Sequence, residues 1–308
     1  MRPLTSFLLA GLLAGALLTA QAGREEGHLT FAVNVDLVVL NATVTDGRGR
    51  HAAGLTAGDF RLLEDGRPQE ITLFNAGDVP ASVGLIIDNS GSMLDKRAEV
   101  GAAALSFVRA SHPGDEMFVV NFNETASLGL PASIRFTSDV AQLRSALLAA
   151  PTGLTALYDA LALGLEHLNT GTLERKALVV LSDGGDNASS RSLDAVLKLA
   201  RGSSATIYPI GMYDETNRDR NPRVLRQIAE LSGGQAYFPR AVRDLEQVWR
   251  DIAGAIRSQY TIGYHSSNPA RDGAFRKVTI TASRNGERNL RVTARQGYVA
   301  SAGASTVR

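Results

Sequence analysis

The pattern of hydrophobic and polar residues changes twice along the 308-residue chain. Residues 28–76 show hydrophobic positions that alternate with smaller or polar ones, which is typical of strands with one buried face. From residue 80 to 257, short hydrophobic runs alternate with longer amphipathic stretches. Residues 259–299 return to the strand pattern. The pattern therefore predicts two β segments that flank an α/β segment.

Two continuous hydrophobic runs, Val83–Ile87 and Ala177–Leu181, mark the middle segment. Runs of this length that are rich in branched residues are typical of buried parallel strands. The further predicted strands are Met117–Phe122, Ala205–Ile210 and Gln235–Phe238. The predicted helices are Asp95–Ser111, Val140–Ala149, Ala156–Asn169, Leu193–Arg201, Arg223–Leu231 and Val242–Ser258. Strands that alternate with helices predict an α/β fold, a doubly wound and mainly parallel sheet with helices on both faces.

The flanking segments contain predicted strands separated by turn residues. Phe60–Leu63 and Ile71–Phe74 flank the turn residues 64–67, which indicates a hairpin. The strands predicted after the last helix are Gln259–Tyr264, Arg276–Ala282 and Leu290–Ala294, with a turn at Asn285-Gly286. Three strands alone do not bury a core. We therefore predict that the N- and C-terminal strands pack together into one β-sandwich-like domain, with the α/β domain inserted between its halves.

The first 22 residues have the pattern of a secretory signal peptide. Met1-Arg2 is followed by the apolar run Leu8–Leu18 and by the small-x-small sequence Ala20-Gln21-Ala22. The run is short for a membrane span, so an uncleaved anchor is the lesser alternative. No transmembrane segment is predicted in the mature chain. We expect an exported protein, periplasmic, extracellular or on the cell surface.

Composition narrows the function classes further. The chain has 32 basic and 31 acidic residues and no dense basic block, so nothing in its charge favours nucleic acid as a partner. It contains no cysteine, so disulfides and thiol chemistry are excluded.

Three polar segments carry the candidate chemistry: Asp88-Asn89-Ser90-Gly91-Ser92, Gly153-Leu154-Thr155 and Ser182-Asp183-Gly184-Gly185-Asp186. The first and third follow predicted parallel strands, whose carboxyl ends meet at one edge of a sheet. Hydroxyl and carboxylate oxygens suit a hard divalent cation, whereas Zn²⁺ prefers His and Cys. The alternative is that Asp88 and the serines only cap the next helix. Asp186 is expected to order its loop or cap the helix beyond Ser189.

The order Asp-x-Ser-x-Ser, then Thr, then Asp resembles the metal-ion-dependent adhesion site of von Willebrand factor type A domains. The resemblance covers roughly residues 80–257 and implies a Rossmann-like fold. It also implies a site for Mg²⁺, or for Mn²⁺ or Ca²⁺, that consists of Asp88, Ser90, Ser92, Thr155 and Asp183. The flanking segments resemble those of secreted bacterial proteins of this family, of the acidobacterial type.

The resemblance implies a non-enzymatic, adhesion-type module whose cation takes an Asp or Glu side chain from a partner protein. It also implies a switch that involves movement of the last helix, Val242–Ser258. Two alternatives stay open. In the first, the cation is structural and the β domain mediates the interaction. In the second, the cation assists hydrolysis. Hydrolysis is the weaker alternative, because the sequence offers no general base beyond the ligands themselves and no Gly-x-Ser-x-Gly nucleophile.

Overall fold

The computed structural model describes residues 37–147, 152–212, 220–284 and 289–300. The predicted signal peptide, residues 28–36 of the first β segment and the turn at Asn285-Gly286 lie outside these ranges. The strands are β1 (Leu37–Thr45), β2 (Phe60–Glu64), β3 (Arg67–Gln69), β4 (Leu73–Asn75), β5 (Ala81–Asp88), β6 (Glu116–Phe122), β7 (Ala126–Leu128), β8 (Arg175–Ser182), β9 (Thr206–Gly211), β10 (Tyr260–His265), β11 (Phe275–Ala282), β12 (Arg291–Ala294) and β13 (Gly297–Val299). The α-helices are α1 (Arg97–Ala110), α2 (Val140–Ala146), α3 (Leu157–Leu168), α4 (Leu193–Gly202), α5 (Pro222–Ser232) and α6 (Leu245–Arg257).

A five-stranded sheet in the order β7-β6-β5-β8-β9 forms the centre of the α/β domain. Strands β6, β5, β8 and β9 are parallel, and only the edge strand β7 is antiparallel. Every residue of β5 is buried, as its continuous hydrophobic sequence predicts. Ile87 pairs with Leu181, so β5 and β8 end at the same edge of the sheet.

Helices cover this sheet and complete its core. Helix α1 packs against α6, and α3 packs against α4. Phe107 of α1 contacts Trp249 of α6, with ring centroids 5.2 Å apart. The predicted α/β fold with a mainly parallel sheet is confirmed.

The flanking strands form two antiparallel four-stranded sheets, in the orders β12-β1-β10-β4 and β13-β11-β2-β3. Each sheet combines strands that precede the α/β domain with strands that follow it. Strand β1 pairs with β10, and β2 pairs with β11. Leu40, Leu62 and Ile262 are among the buried residues of the hydrophobic core between them. The predicted β-sandwich-like domain built from N- and C-terminal strands is thus part of the fold.

Several local predictions were wrong. The first hairpin joins β2 to β3 around Asp65 and Gly66, whereas β4 leaves it and pairs with β10. Tyr237, in the predicted strand Gln235–Phe238, forms only an isolated bridge to Ile210. The last helix begins with a 3₁₀ turn over Val242–Asp244, and α6 starts at Leu245.

Among the residues that the structure describes, no helix is long and apolar enough to cross a membrane.

Candidate metal-binding site

The carboxylate of Asp88 lies at the end of β5, and only 1% of this residue is exposed. Its Oδ1 accepts a hydrogen bond from the backbone N–H of Ser90 at 2.9 Å. Its Oδ2 accepts one from the hydroxyl of Ser182 at 2.8 Å. The two strand ends that the sequence placed at one edge are therefore joined directly by their side chains.

Ser90, Ser92 and Asp183 form a row of oxygens beside Asp88. The hydroxyl oxygens of Ser90 and Ser92 lie 3.1 Å apart, and the Ser92 hydroxyl donates to Oδ2 of Asp183 at 3.4 Å. Ser90 and Asp183 are buried, whereas Ser92 is exposed. We call Asp88, Ser90, Ser92 and Asp183 the oxygen cluster. It is accessible to solvent on the side of Ser92.

The loop that carries Thr155 is hydrogen-bonded to the Asp88–Ser92 loop. The N–H of Gly91 donates to the carbonyl of Gly153 at 3.2 Å, and the N–H of Thr152 donates to the carbonyl of Asn89 at 2.8 Å. Gly153 adopts φ +74°, a backbone conformation that favours glycine. These contacts place the segment that leads to Thr155 beside the oxygen cluster.

The same loop is also tied to the residue that follows the third polar segment. The N–H of Thr155 donates to Oδ1 of Asn187 at 2.8 Å, and the carbonyl of Thr155 accepts from the N–H of Asn187 at 3.0 Å. Thr155 is 8% exposed. All three polar segments predicted from the sequence are thus brought together at one edge of the sheet.

Two supporting residues are Ser182, which the sequence marks only as the first residue of the third polar segment, and Asn187, which follows that segment. The Ser182 hydroxyl donates to Asp88 and accepts from the N–H of Gly184 at 3.1 Å, so it couples the first and third loops. The signal was available, because Ser182 is the polar residue at which a continuous hydrophobic strand ends. Asn187 gave no comparable signal.

Asp186 orders its loop, as expected, but it caps a different helix. Its Oδ2 accepts from the N–H of Tyr158 at the start of α3 and from the hydroxyl of Ser189. Helix α4, beyond Ser189, is instead capped by Ser192. Asp159, in the first turn of α3, accepts hydrogen bonds from the backbone N–H groups of Ser190 and Arg191.

Burial raises the pKa of Asp88 to about 6. The hydrogen bonds from Ser90 and Ser182 oppose this shift, and the neighbouring carboxylate of Asp183 adds to it. A cation beside the two carboxylates would favour the ionised form and offset the penalty of burying it. The electrostatics of the cluster therefore favour a bound positive charge.

The spacing of the oxygens provides a test of fit. Octahedral Mg²⁺ with bonds of about 2.1 Å places adjacent ligand oxygens about 3.0 Å apart, and Ca²⁺ with bonds of about 2.4 Å places them about 3.4 Å apart. The observed separations of 3.1 and 3.4 Å lie in this range. Across the described ranges, no group of three or more His, Cys, Asp or Glu side chains could hold a metal. The spacing of the serine and carboxylate oxygens is what fits a hard cation bound through hydroxyls as well as carboxylates.

Residues 83–185 match the family model of the von Willebrand factor type A domain. The chain carries a von Willebrand factor type A domain. The matched region contains all five predicted ligands, Asp88, Ser90, Ser92, Thr155 and Asp183. The match confirms the resemblance to the domain family, whereas metal binding at these residues stays a prediction.

The chain is also similar to several solved structures. A von Willebrand factor type A protein from Catenulispora acidiphila superposes with a TM-score of 0.53 at 16% identity, over 85% of this chain and 73% of that chain. An aerotolerance-related membrane protein from Bacteroides fragilis gives 0.46 at 18% identity, over 58% and 98% of the two chains. The PilB minor pilin of Streptococcus sanguinis gives 0.47 at 14% identity, over 62% and 64%. A comparison with functionally curated proteins gives no match.

Proposed function

We propose that this protein is a non-enzymatic, metal-dependent protein-binding module of the adhesion type. A divalent cation, Mg²⁺ or else Mn²⁺ or Ca²⁺, would be held by Asp88, Ser90, Ser92, Thr155 and Asp183. The observation that carries the proposal is the convergence of serine and carboxylate oxygens at 3.1 and 3.4 Å. The partner would be a protein that presents an Asp or Glu side chain to the cation.

The charge of the five proposed ligands supports a carboxylate as the group that the partner presents to the cation. Three of the five proposed ligands are neutral hydroxyls, so two carboxylates face a doubly charged ion. Asp88 already accepts hydrogen bonds on both of its oxygens, which favours contact through water. A bound cation would supply Lewis acidity and an attraction for anionic oxygen. The exposed side of Ser92 is where an external carboxylate would approach.

Two cavities in the described part of the chain lie away from the oxygen cluster. One, of about 610 Å³, lies among α4, α5 and β13, and another, of about 550 Å³, lies among β1, β12 and α6. Neither is lined by a residue of the three polar loops. Hydrolysis would need a substrate pocket and a general base beside the cation. Our proposal is accordingly a binding module, and the hydrolytic alternative needs a general base that the described residues of the oxygen cluster do not include.

Export is part of the proposal and rests on the sequence of the first 22 residues. Cleavage after Ala22 would release a mature chain into the periplasm or the medium, where divalent cations are available. The alternative is a structural role for the cation, with the β sandwich as the interaction surface. The experiment must distinguish this alternative from binding through the cation.

The decisive experiment is capture of partners from the envelope fraction of the producing cell, with the mature chain as bait. Three conditions are compared: Mg²⁺, chelator, and Mg²⁺ with a Ser92→Ala bait. Ser92 is exposed, so its truncation should leave the fold intact, which circular dichroism verifies. Ser145→Ala, which truncates an exposed serine of α2, is the matched control.

A protein retained by the unaltered and Ser145→Ala baits with Mg²⁺, and lost in the other two conditions, would support the proposal. Equal retention in every condition would assign binding to the β sandwich and leave the cation a structural role.

A further inference from the structure

The cavity of about 550 Å³ lies between the β sandwich and the α/β domain, and its volume is in the range of small-molecule sites. We call this cavity, formed by β1, β12, β9, α6 and the loop after α5, the polar cavity. The described residues that line it include no Leu, Ile, Val or Met. Hydroxyls, an amide, a carboxylate, a guanidinium and an imidazole line it instead. Such a lining suits a polar ligand and not an apolar one.

One wall of the polar cavity is a face of the β sandwich. Thr43 and Thr45 alternate along β1 with buried residues of the sandwich core, so their side chains lie on the opposite face of the sheet. Thr43 pairs with Thr293 of β12, and Thr45 pairs with Arg291. The pairing of the strands thus places three hydroxyls and one guanidinium side by side on one surface.

The opposite wall belongs to the α/β domain. Tyr208 of β9 and Tyr237 contribute aromatic rings and hydroxyls, and Asp251 of α6 contributes a carboxylate. Burial raises the pKa of the Tyr237 hydroxyl to about 12, so this group keeps its proton and can donate a hydrogen bond. Behind the wall, the amide nitrogen of Gln259 donates to the Tyr208 hydroxyl at 2.8 Å. Oε1 of Gln259 is buried and has no hydrogen-bond partner in the described part of the chain, so the polar environment extends beyond the surface of the cavity.

The polar side chains of the cavity are not needed to join the two domains. Arg295 makes such a connection, because its guanidinium donates to the carbonyl of Ser203 at 3.0 Å and to the carbonyl of Val39 at 2.9 Å. In the ranges that the structure describes, no hydrogen bond or ion pair joins the side chains of His51, Tyr237 or Arg291 to the protein. Their hydrogen-bonding groups are therefore available to a ligand.

The polar cavity continues into a second one of about 310 Å³. The two cavities share Thr45 and Arg291, and Asn289 contributes an amide to the second. The turn beside it is ordered without a ligand, since the carboxylate of Asp46 accepts hydrogen bonds from the backbone N–H groups of Arg48 and Arg50 at 2.8 and 3.0 Å. An elongated ligand made of several polar units fits this shape better than a single small ion.

We propose that the polar cavity and its extension bind a neutral oligosaccharide. Sugar hydroxyls both donate and accept hydrogen bonds, so they suit Arg291, which only donates, Asp251, which only accepts, and threonine hydroxyls, which do both. The C–H groups on the face of a sugar ring pack against the electron-rich face of an aromatic ring such as that of Tyr237. The charges of Asp251 and Arg291 offset each other, which favours a neutral ligand. This site is separate from the oxygen cluster, and the inference goes beyond the proposed function.

The test measures binding of cellotriose, maltotriose and chitotriose to the full mature chain by isothermal titration calorimetry. Every titration contains chelator, so the oxygen cluster holds no cation. Free glutamine is the comparison ligand, because it is small and polar but carries two opposite charges. We expect at least one trisaccharide to bind with a Kd of about 1 mM or tighter, and glutamine not to bind.

The double variant Arg291→Met with Thr293→Val should weaken this binding at least about tenfold, because it removes a guanidinium and a hydroxyl from one wall. Both residues are exposed on the edge strand β12, so the thermal midpoint should stay near that of the unaltered chain. The matched control is Arg61→Met with Thr279→Val. These two residues are exposed on β2 and β11, line neither cavity, and should be replaceable without loss of binding.

Three results would overturn the inference. Absence of binding by all three trisaccharides at about 10 mM would leave the polar cavity a water-filled gap between the domains. Equal affinities of the two double variants would place the sugar elsewhere on the chain. Binding of glutamine without binding of any trisaccharide would make the cavity a site for zwitterions. Because chelator is present throughout, none of these results bears on the cation or on the function proposed for it.

Discussion

The guanidinium of Arg175 donates a hydrogen bond to the backbone carbonyl of Gln259 at 2.7 Å. Its other terminal nitrogen donates to the carbonyl of Ile256 at 3.0 Å, near the end of α6. Weaker contacts, at 3.4 Å, reach the carbonyls of Gly77 and Val79. One arginine at the start of β8 thus joins both segments through which the chain enters and leaves the α/β domain.

Replacement of Arg175 by Met should destabilise the protein by about 3 kcal/mol or more. Arg175 is 1% exposed, so its loss leaves several buried carbonyl groups without a donor, and each such group is costly. The positive charge also faces the negative end of the α6 dipole. The free energy of unfolding in urea measures the effect.

Arg250→Met provides the control for that measurement. Arg250 pairs with Glu246 on the exposed face of α6, and a surface pair of this kind contributes no more than about 0.5 kcal/mol. Comparable effects of the two substitutions would show that Arg175 is not a structural link between the domains.

The raised pKa of Asp88 predicts how the metal-free protein responds to pH. The pKa in the folded state is about 6, against a usual value of 3.8, so the folded chain holds this proton more tightly than the unfolded chain does. The stabilisation is complete below about pH 4 and is lost as pH rises through 6. This difference between the pKa values of the folded and unfolded states corresponds to about 3 kcal/mol in the free energy of unfolding.

Asp88→Asn should remove this contribution, because an amide does not ionise. Burial also raises the pKa of Asp115, which changes stability in the same direction, so the difference between the two chains isolates Asp88. Urea unfolding of both proteins in chelator, at pH 4.5 and pH 7.5, makes the comparison. If the difference in stability between them did not change with pH, Asp88 would titrate normally.

Mg²⁺ should stabilise the folded chain, and the effect should be larger at pH 7.5 than at pH 5. A ligand that binds only the folded state adds about 1.4 kcal/mol for each tenfold rise in its concentration above its dissociation constant. Protonation of Asp88 opposes binding of the cation at the lower pH. Thermal midpoints at rising Mg²⁺ concentrations measure the stabilisation.

Ser92→Ala should raise the Mg²⁺ concentration needed for a given stabilisation at least about tenfold, since it deletes one proposed ligand. Ser145→Ala should leave it unchanged. An identical response of the unaltered chain and Ser92→Ala would exclude the Ser92 hydroxyl from the site.

The parts of the fold that could be predicted are those encoded locally. Strands β5 and β8 are continuous hydrophobic runs, and the polar residues at their ends mark the edge where Asp88 and Ser182 meet. The contacts that the sequence did not reveal are non-local. Asp186 caps α3 by accepting a hydrogen bond from the N–H of Tyr158, which lies 28 residues earlier in the chain, and no local pattern signals such a contact.

The misplaced hairpin has a similar cause. Asp65 and Gly66, at φ 47° and 80°, form a two-residue turn of the kind that Asp-Gly favours, so β3 begins at Arg67. The later hydrophobic residues of β4 face a partner, β10, that lies nearly 190 residues further along the chain. Their alternation predicts a strand but does not identify the strand with which it pairs.

Gly153 offers a test of whether loop geometry controls the site. At φ +74°, a residue with a Cβ atom would be strained, and the Cβ would also clash with the carboxylate of Glu124. Gly153→Ala should therefore destabilise the protein by about 1–2 kcal/mol and weaken Mn²⁺ binding by displacing Thr155. Gly101→Ala is the control, because the interior of α1 has room for a methyl group there and alanine favours a helix.

Adding Glu124→Ala to Gly153→Ala should relieve the clash but not the backbone strain, so only part of the lost stability and Mn²⁺ affinity should return. Full recovery in this double variant would mean that the clash alone disturbs the loop, and unchanged Mn²⁺ affinity in Gly153→Ala would separate the loop from the metal site.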